Sequence, residues 1–235
     1  GIIKSKERCT TVKTRVIAAN QHLLRVDQED TYALSSSESQ QLLASFINIL
    51  DSNKIHVILI QDYNKGVLGA AMIQQILLES ARRDIPTVVD PKLHNFLEFG
   101  AVTLFKPNLK EIKEALPFEV NANIESLTKA AAYLRSKMQH KYTMITLSEK
   151  GIFIDDGFLQ AILPTQARNI ADVCGAGDTV ISIAALGVAL QLPLADIAIL
   201  ANLAGGQVCE KVGVVPVHKS QLLREYEYLL AHSET

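Results

Sequence analysis

Cysteine is scarce in these 235 residues. The three present, Cys9, Cys174 and Cys209, are too few, odd in number and too widely spaced for a disulfide scaffold. None sits in a C-x-x-C or Cys/His cluster of the kind that holds zinc, and the usage suits a reducing compartment. Neither sign of charge is in excess: 23 basic residues stand against 25 acidic ones, a net of −2. A nucleic-acid partner would require a basic surplus or a Lys/Arg stripe, and the chain has neither. No apolar run reaches the ~18 residues needed to cross a bilayer. Residues 1–8 lack the apolar core that follows the positive residues of a signal peptide. Low-complexity tracts and repeats at solenoid spacing are missing as well. These absences point to a soluble cytoplasmic chain that binds neither nucleic acid nor membrane.

What is present is a chain with 48% hydrophobic and 20% charged residues. At its mass, surface scaling gives ~10,000 Å² folded against ~37,000 Å² extended, so roughly 70% of the surface can be buried. That supports a core without disulfides or a structural metal. Strand-like apolar runs alternate with helix-like periodic ones. Residues 11–18 and 22–27 alternate around Asn20-Gln21 and predict a hairpin with one wet face. Ser35 precedes Glu38 at capping-box spacing, ahead of a one-faced apolar helix through Leu42, Leu43, Phe46, Ile49 and Leu50.

From there the expected order is α/β. Strands are predicted at 55–60, 87–89, 102–105 and 142–147, then a hairpin over 152–162. Helices are predicted at 69–83, 108–115, 124–139, 177–191, 194–211 and 218–231. The pattern implies a doubly wound, mostly parallel sheet with helices on both faces. Residues 1–34 read as a small β flap outside that core, and residues 35–235 as the core itself.

In open α/β sheets, ligands bind beyond the carboxyl ends of the strands. Four polar sets follow the apolar runs: Asp62-Tyr63-Asn64-Lys65-Gly66, Asp90-Pro91-Lys92, Lys106-Pro107-Asn108 with Glu111, and residues 146–151. Each alone is an ordinary strand-to-helix turn; together they outline a shared cleft. The strongest signal is Asp172-Val173-Cys174-Gly175-Ala176-Gly177-Asp178 running into an apolar helix. Small residues at a helix start let backbone N–H groups converge on an anion, and the carboxylate beside them can take a proton from an attacking hydroxyl. The same residues also suit a plain glycine turn with Asp178 favouring the helix dipole. A Walker loop and a G-x-G-x-x-G fingerprint are both lacking, so P-loop NTPases and dinucleotide-binding dehydrogenases lose their defining element.

Residues 172–178 resemble the D-x-x-G-A-G-D signature of the ribokinase-like (PfkB) sugar kinases. Asn108 and Glu111 resemble that family's N-x-x-E element. Residues 146–151 resemble its nucleotide loop, and residues 201–205 the helix that flanks adenine. Within the family, residues 10–27, the Asp62 and Asp90 sets and residues 211–217 are similar to kinases that act on heptose 7-phosphate in ADP-heptose synthesis. Position 174, Thr in those enzymes, is Cys here. The family's opening strand with a sugar-binding Asp and its Gly-Gly…Asn motif have no counterpart, so the chain is expected to lack the first quarter of the family domain. The H-x-G-H motif of a nucleotidyltransferase half does not occur either.

The resemblance implies an ATP-dependent kinase for the anomeric hydroxyl of a heptose 7-phosphate, with Mg²⁺ and a homodimeric state. Asp178 would be the general base, and the amides of Gly175, Ala176 and Gly177 the anion hole. Asn108 and Glu111 would hold the metal and the ATP phosphates. Thr146, Ser148, Gly151, Asn202 and Gly205 would line the nucleotide, while Asp62, Lys65 and Arg25 would face the sugar phosphate. Another PfkB-type sugar or nucleoside kinase, or a catalytically silent nucleotide-binding module, fits the same motifs.

Overall fold

In the computed structural model, residues 1–18 and 21–232 are described. Two antiparallel strands, β1 (Val12–Ala18) and β2 (Gln21–Gln28), form a separate flap. Of the turn expected at Asn20-Gln21, Asn20 lies outside the described residues. Helix α1 (Ser36–Ser52) follows, and it starts where the sequence requires. Ser35 Oγ accepts from the Glu38 amide and Glu38 Oε2 accepts from the Ser35 amide, a closed capping box.

The core sheet runs β3 (Ile58–Gln61), β4 (Thr87–Asp90), β5 (Leu104–Phe105), β6 (Tyr142–Thr146), β7 (Ile152–Asp155) and β8 (Gln160–Leu163), in that spatial order. The first four are parallel; β7 and β8 pair antiparallel, so the sheet is mixed and mostly parallel. Helices α2 (Ala70–Arg82), α3 (Leu109–Ala115) and α4 (Ile124–Met138) cross between the parallel strands. Then α5 (Ala176–Ala189), α6 (Leu194–Cys209) and α7 (Lys219–His232) complete the chain.

Strand periodicity splits the core into two layers. Val89, Phe105, Ile145 and Phe153 point to the side of α2, α3 and α4, where Ile73, Ile112 and Leu134 meet them. Their neighbours Val88, Leu104, Met144 and Ile154 point the other way, onto Ile181, Ala184 and Ile197 of α5 and α6. Both faces of these strands are covered, which is why the runs read as continuously apolar. Two strands are shorter than their apolar runs. Ladder pairing of β3 begins only at Ile58, opposite Thr87, and β5 pairs through Leu104 and Phe105 alone.

The flap is tied to the core at its base. The Arg8 guanidinium donates to the carbonyls of Tyr32 (2.5 Å), Asp30 (3.2 Å) and Lys65, and the Leu34 amide donates to the Gly66 carbonyl at 3.1 Å. The loop after β3 is thereby placed between flap and sheet. No helix among the described residues is long and apolar enough to cross a membrane.

Candidate active site

The carboxyl ends of β3 to β6 open toward the start of α5. Gly175, the residue before that helix, has φ +80°, a conformation open to glycine at little cost. Asp178 is the third helical residue, exposed, with its carboxylate over the first turn. Among the described residues, no protein acceptor takes the Gly175 or Gly177 amide, whereas the Ala176 amide reaches the Val173 carbonyl at 3.3 Å. A Cβ at Gly177 would meet no atom within 4 Å. The protein's own packing does not require glycine there; its effect is to leave room above the helix N-terminus, where the partial positive charge attracts an anion. The Asp172 carboxylate pins this loop from behind, accepting from the amides of Cys174 (3.0 Å) and Gly213 (3.0 Å).

Two groups to which the sequence assigned no role bear on Asp178: Gln61, outside the polar sets, and Tyr63, within the first of them. Gln61 Nε2 donates to its Oδ1, and the Tyr63 hydroxyl stands 3.4 Å from the same atom. Burial raises the Tyr63 pKa, and the Asp178 charge pushes it the same way. Both partners hold one carboxylate oxygen and leave Oδ2 to the cleft. Asp62, between them, points the other way and is buried. It accepts from the Asn64 amide (2.7 Å) and from Asn95 Nδ2 (2.9 Å), so it holds the loop and is turned away from the cleft. Strand alternation is the signal that separates them. Ile58 and Ile60 pack on the α2 side, so Asp62 falls on that face, and Gln61 and Tyr63 on the α5 side.

Beneath the cleft lies a cluster of opposed charges. Lys106, almost fully buried, stands 3.3 Å from Asp90. Burial raises the Asp90 pKa against the pull of Lys106 and Lys92. Lys92 donates to Glu111 Oε1; burial opposes its charge, but the Glu111 and Asp90 carboxylates outweigh this and raise its pKa. Asn108 caps α3 in a second capping box: its Oδ1 accepts from the Glu111 amide (2.9 Å) while Glu111 Oε2 accepts from the Asn108 amide (2.8 Å). No group of three or more His, Cys, Asp or Glu side chains suited to a metal occurs among the described residues. Of the donors at Asn108 and Glu111, the capping box takes Asn108 Oδ1 and Glu111 Oε2, and Glu111 Oε1 is the oxygen it leaves to a partner.

The remaining expected residues divide. Thr146 ends β6 beside Asn108 in a parallel bridge. Ser148 and Gly151, both at positive φ, form the turn that follows. Asn202 Nδ2 donates to the Pro164 carbonyl (2.9 Å) and its Oδ1 accepts from Thr165, so it holds the segment that follows β8. Gly205 is buried in the helix crossing, where a Cβ would lie 2.8 Å from Val180 Cγ2 of α5. Lys65 is paired with Glu29, and Arg25 Nε with Asp27 at 2.9 Å on the flap. Arg15 faces Arg25 directly across the flap strands. Like charges in that register repel.

The pfkB family carbohydrate kinase pattern matches residues 1–220. The bifunctional protein HldE of Syntrophotalea carbinolica is 37% identical over 224 residues, covering 94% of this chain and 45% of that protein. The chain thus spans about half the length of the curated relatives it matches. In structure it resembles phosphofructokinase-2 from Escherichia coli in complex with potassium, with a TM-score of 0.80 at 20% identity over 94% of this chain and 70% of that one. Arabidopsis thaliana ribokinase complexed with ribose and ATP gives 0.65 at 15% identity, over 87% and 65%. The ribokinase-like α/β fold follows from these likenesses, and with 37% identity and a pattern match over nearly its whole length, the chain belongs to the pfkB family of carbohydrate kinases.

Proposed function

We propose that this chain carries the phosphoryl-transfer site of an ATP-dependent sugar kinase whose acceptor is the anomeric hydroxyl of a heptose 7-phosphate, a step toward ADP-heptose and lipopolysaccharide-core precursors. The observation that carries the reading is the Asp178 carboxylate in the first turn of α5, beside Gly175 and Gly177 amides that no acceptor among the described residues takes. Asp178 removes the proton from the attacking hydroxyl through Oδ2, while Gln61 and Tyr63 steady Oδ1. The amides of Gly175 and Gly177, with Ala176 beside them, meet charge that develops on the transferred group. A Mg²⁺ ion reached from Glu111 and Asn108 would supply charge neutralisation on the ATP phosphates. Thr146, Ser148 and Gly151 form the nucleotide wall, with Asn202 and Gly205 shaping it from behind.

A phosphorylated acceptor is favoured by the flap. Arg15 and Arg25 line a hollow of about 270 Å³ there with Leu23 and Leu24, and a bound dianion would relieve their repulsion. Lys65 lies at the flap's base, with Asp62 bracing its loop. The opposite flap face exposes Val12, Val16 and Val26, a surface suited to a second copy of the chain. The test is ADP release with heptose 7-phosphate, fructose 6-phosphate, ribose and adenosine as acceptors, with ³¹P NMR to locate the new ester. We expect kcat/KM for heptose 7-phosphate to exceed the others roughly 100-fold or more, since a site built for polar groups rejects acceptors that lack them. Faster turnover of another acceptor would overturn the heptose assignment. ADP release with none of them would leave a nucleotide-binding module.

A further inference from the structure

We propose that Lys92 is a resident counter-ion of Glu111, which yields that carboxylate to a divalent cation and turns its ammonium to the incoming polyphosphate. The proposal rests on the kinase reading above. Glu111 is buried and has two oxygens to offer. Oε2 is committed to the Asn108 amide at 2.8 Å, and releasing it would uncap α3. Only Oε1 remains for a ligand, and Lys92 Nζ is seated on it. A cation that binds Oε1 directly meets the ammonium's positive charge at contact distance, and that repulsion drives the ammonium off.

The two lysines of the cluster differ in their freedom to respond. Lys106 has a side-chain exposure of 3% and stands 3.3 Å from Asp90, so it is a fixed charge beneath the floor. The Lys92 side chain is 37% exposed, and its backbone is extended, just ahead of a single 3₁₀ turn (Leu93–Asn95). Its head group can swing on a flexible stem without opening the core. The exchange also balances charge. While the cleft is empty, the ammonium keeps a buried carboxylate compensated, and loss of one partner from such a pair is costly. When metal and nucleotide arrive together, the metal compensates Glu111, and the freed ammonium meets phosphate oxygens that bring more negative charge than one divalent ion removes.

The experiment measures Mn²⁺ binding to the chain by electron paramagnetic resonance, first without nucleotide. Lys92→Gln keeps a hydrogen-bond donor for Glu111 but removes the competing charge. It should bind Mn²⁺ roughly tenfold more tightly than the native chain, the scale of one charge-assisted hydrogen bond partly screened by solvent. In the Lys92→Gln/Glu111→Gln double variant this gain should vanish. With ATP present the sign reverses: Lys92→Gln should bind the Mn²⁺–ATP complex several-fold more weakly. A residue with a purely structural role would weaken both titrations. Unchanged or weaker Mn²⁺ affinity in Lys92→Gln overturns the displacement, and a gain that survives Glu111→Gln overturns the assignment to Glu111. Undiminished Mn²⁺–ATP affinity overturns the phosphate contact. No sugar or turnover enters these titrations, so they stand or fall apart from the acceptor assignment.

Discussion

Asp178→Asn separates the chemistry of the site from its architecture. The carboxylate is exposed in the first turn of α5, so its loss removes a favourable interaction with the helix dipole of about 0.3–1 kcal/mol. In a domain of this size that lowers Tm by no more than about 4 °C. The asparagine oxygen can still accept from Gln61 Nε2, so the side chain keeps its bearing. The amides of Gly175 and Gly177 are untouched, and ATP affinity should stay within about threefold of the native value, because neutralising one exposed carboxylate changes binding little. What the variant cannot do is accept a proton on the second oxygen. Loss of a general base costs 10²–10⁴ in rate, about 2.7–5.4 kcal/mol of barrier. The assay is kcat by coupled ADP release, with nucleotide affinity and thermal melting on the same preparation. A kcat within about tenfold of native, with an intact melt, would refute the assignment and send the proton elsewhere.

Glu111→Gln should raise the divalent cation concentration needed for half-maximal rate roughly tenfold or more while leaving sugar KM unchanged; an unshifted midpoint would leave Glu111 as a helix cap alone. Gly151→Ala should destabilise the chain by about 2–3 kcal/mol, since its Cβ would stand 1.9 Å from the Leu163 carbonyl oxygen at φ +94°. An unchanged denaturation midpoint would show that the turn relaxes. His140 is buried, and burial together with the Arg135 charge lowers its pKa to about 4. The unfolded chain binds this proton from about pH 6.5 downward. Native stability therefore falls as pH drops across that window, by up to about 3 kcal/mol. His140→Gln should flatten the loss between pH 7 and pH 4.5, and parallel curves for native and variant would exclude His140 as the acid-sensitive group.

The fold was legible where one physical rule decided it. The start of α1 announced itself through the side-chain cap at Ser35, because the cap and its partner lie three residues apart and need no tertiary context. Strands covered on both faces read as apolar runs because solvent reaches neither side. The ladder ends were not legible. Residues 55–57 continue the apolar run of β3, yet pairing starts only at Ile58, where β4 first lies alongside. A strand ends where its neighbour does, and no local sequence carries that information.

At the site, the glycine-rich helix start could be read because consecutive residues build it. The hold on Asp178 could not, since Gln61 and Tyr63 lie 117 and 115 residues away along the chain. Even so, the apolar pair Ile58 and Ile60 assigns Asp62 to the wrong face for the cleft, and the same period assigns Gln61 and Tyr63 to the right one. The N-x-x-E spacing is the more instructive case, because its two readings are one arrangement. A glutamate three residues after the capping asparagine gives one oxygen to the helix end, which fixes the carboxylate's position without further support. The second oxygen is thereby aimed outward from a rigid base, at the carboxyl edge of β5 and β6. A cap and a metal-side ligand make the same demand on the backbone. What the spacing alone cannot tell is that a lysine 19 residues earlier already occupies that second oxygen. On the proposal above, the state of Glu111 would be set by a competition between two cations, and Lys92 is the one the chain itself supplies.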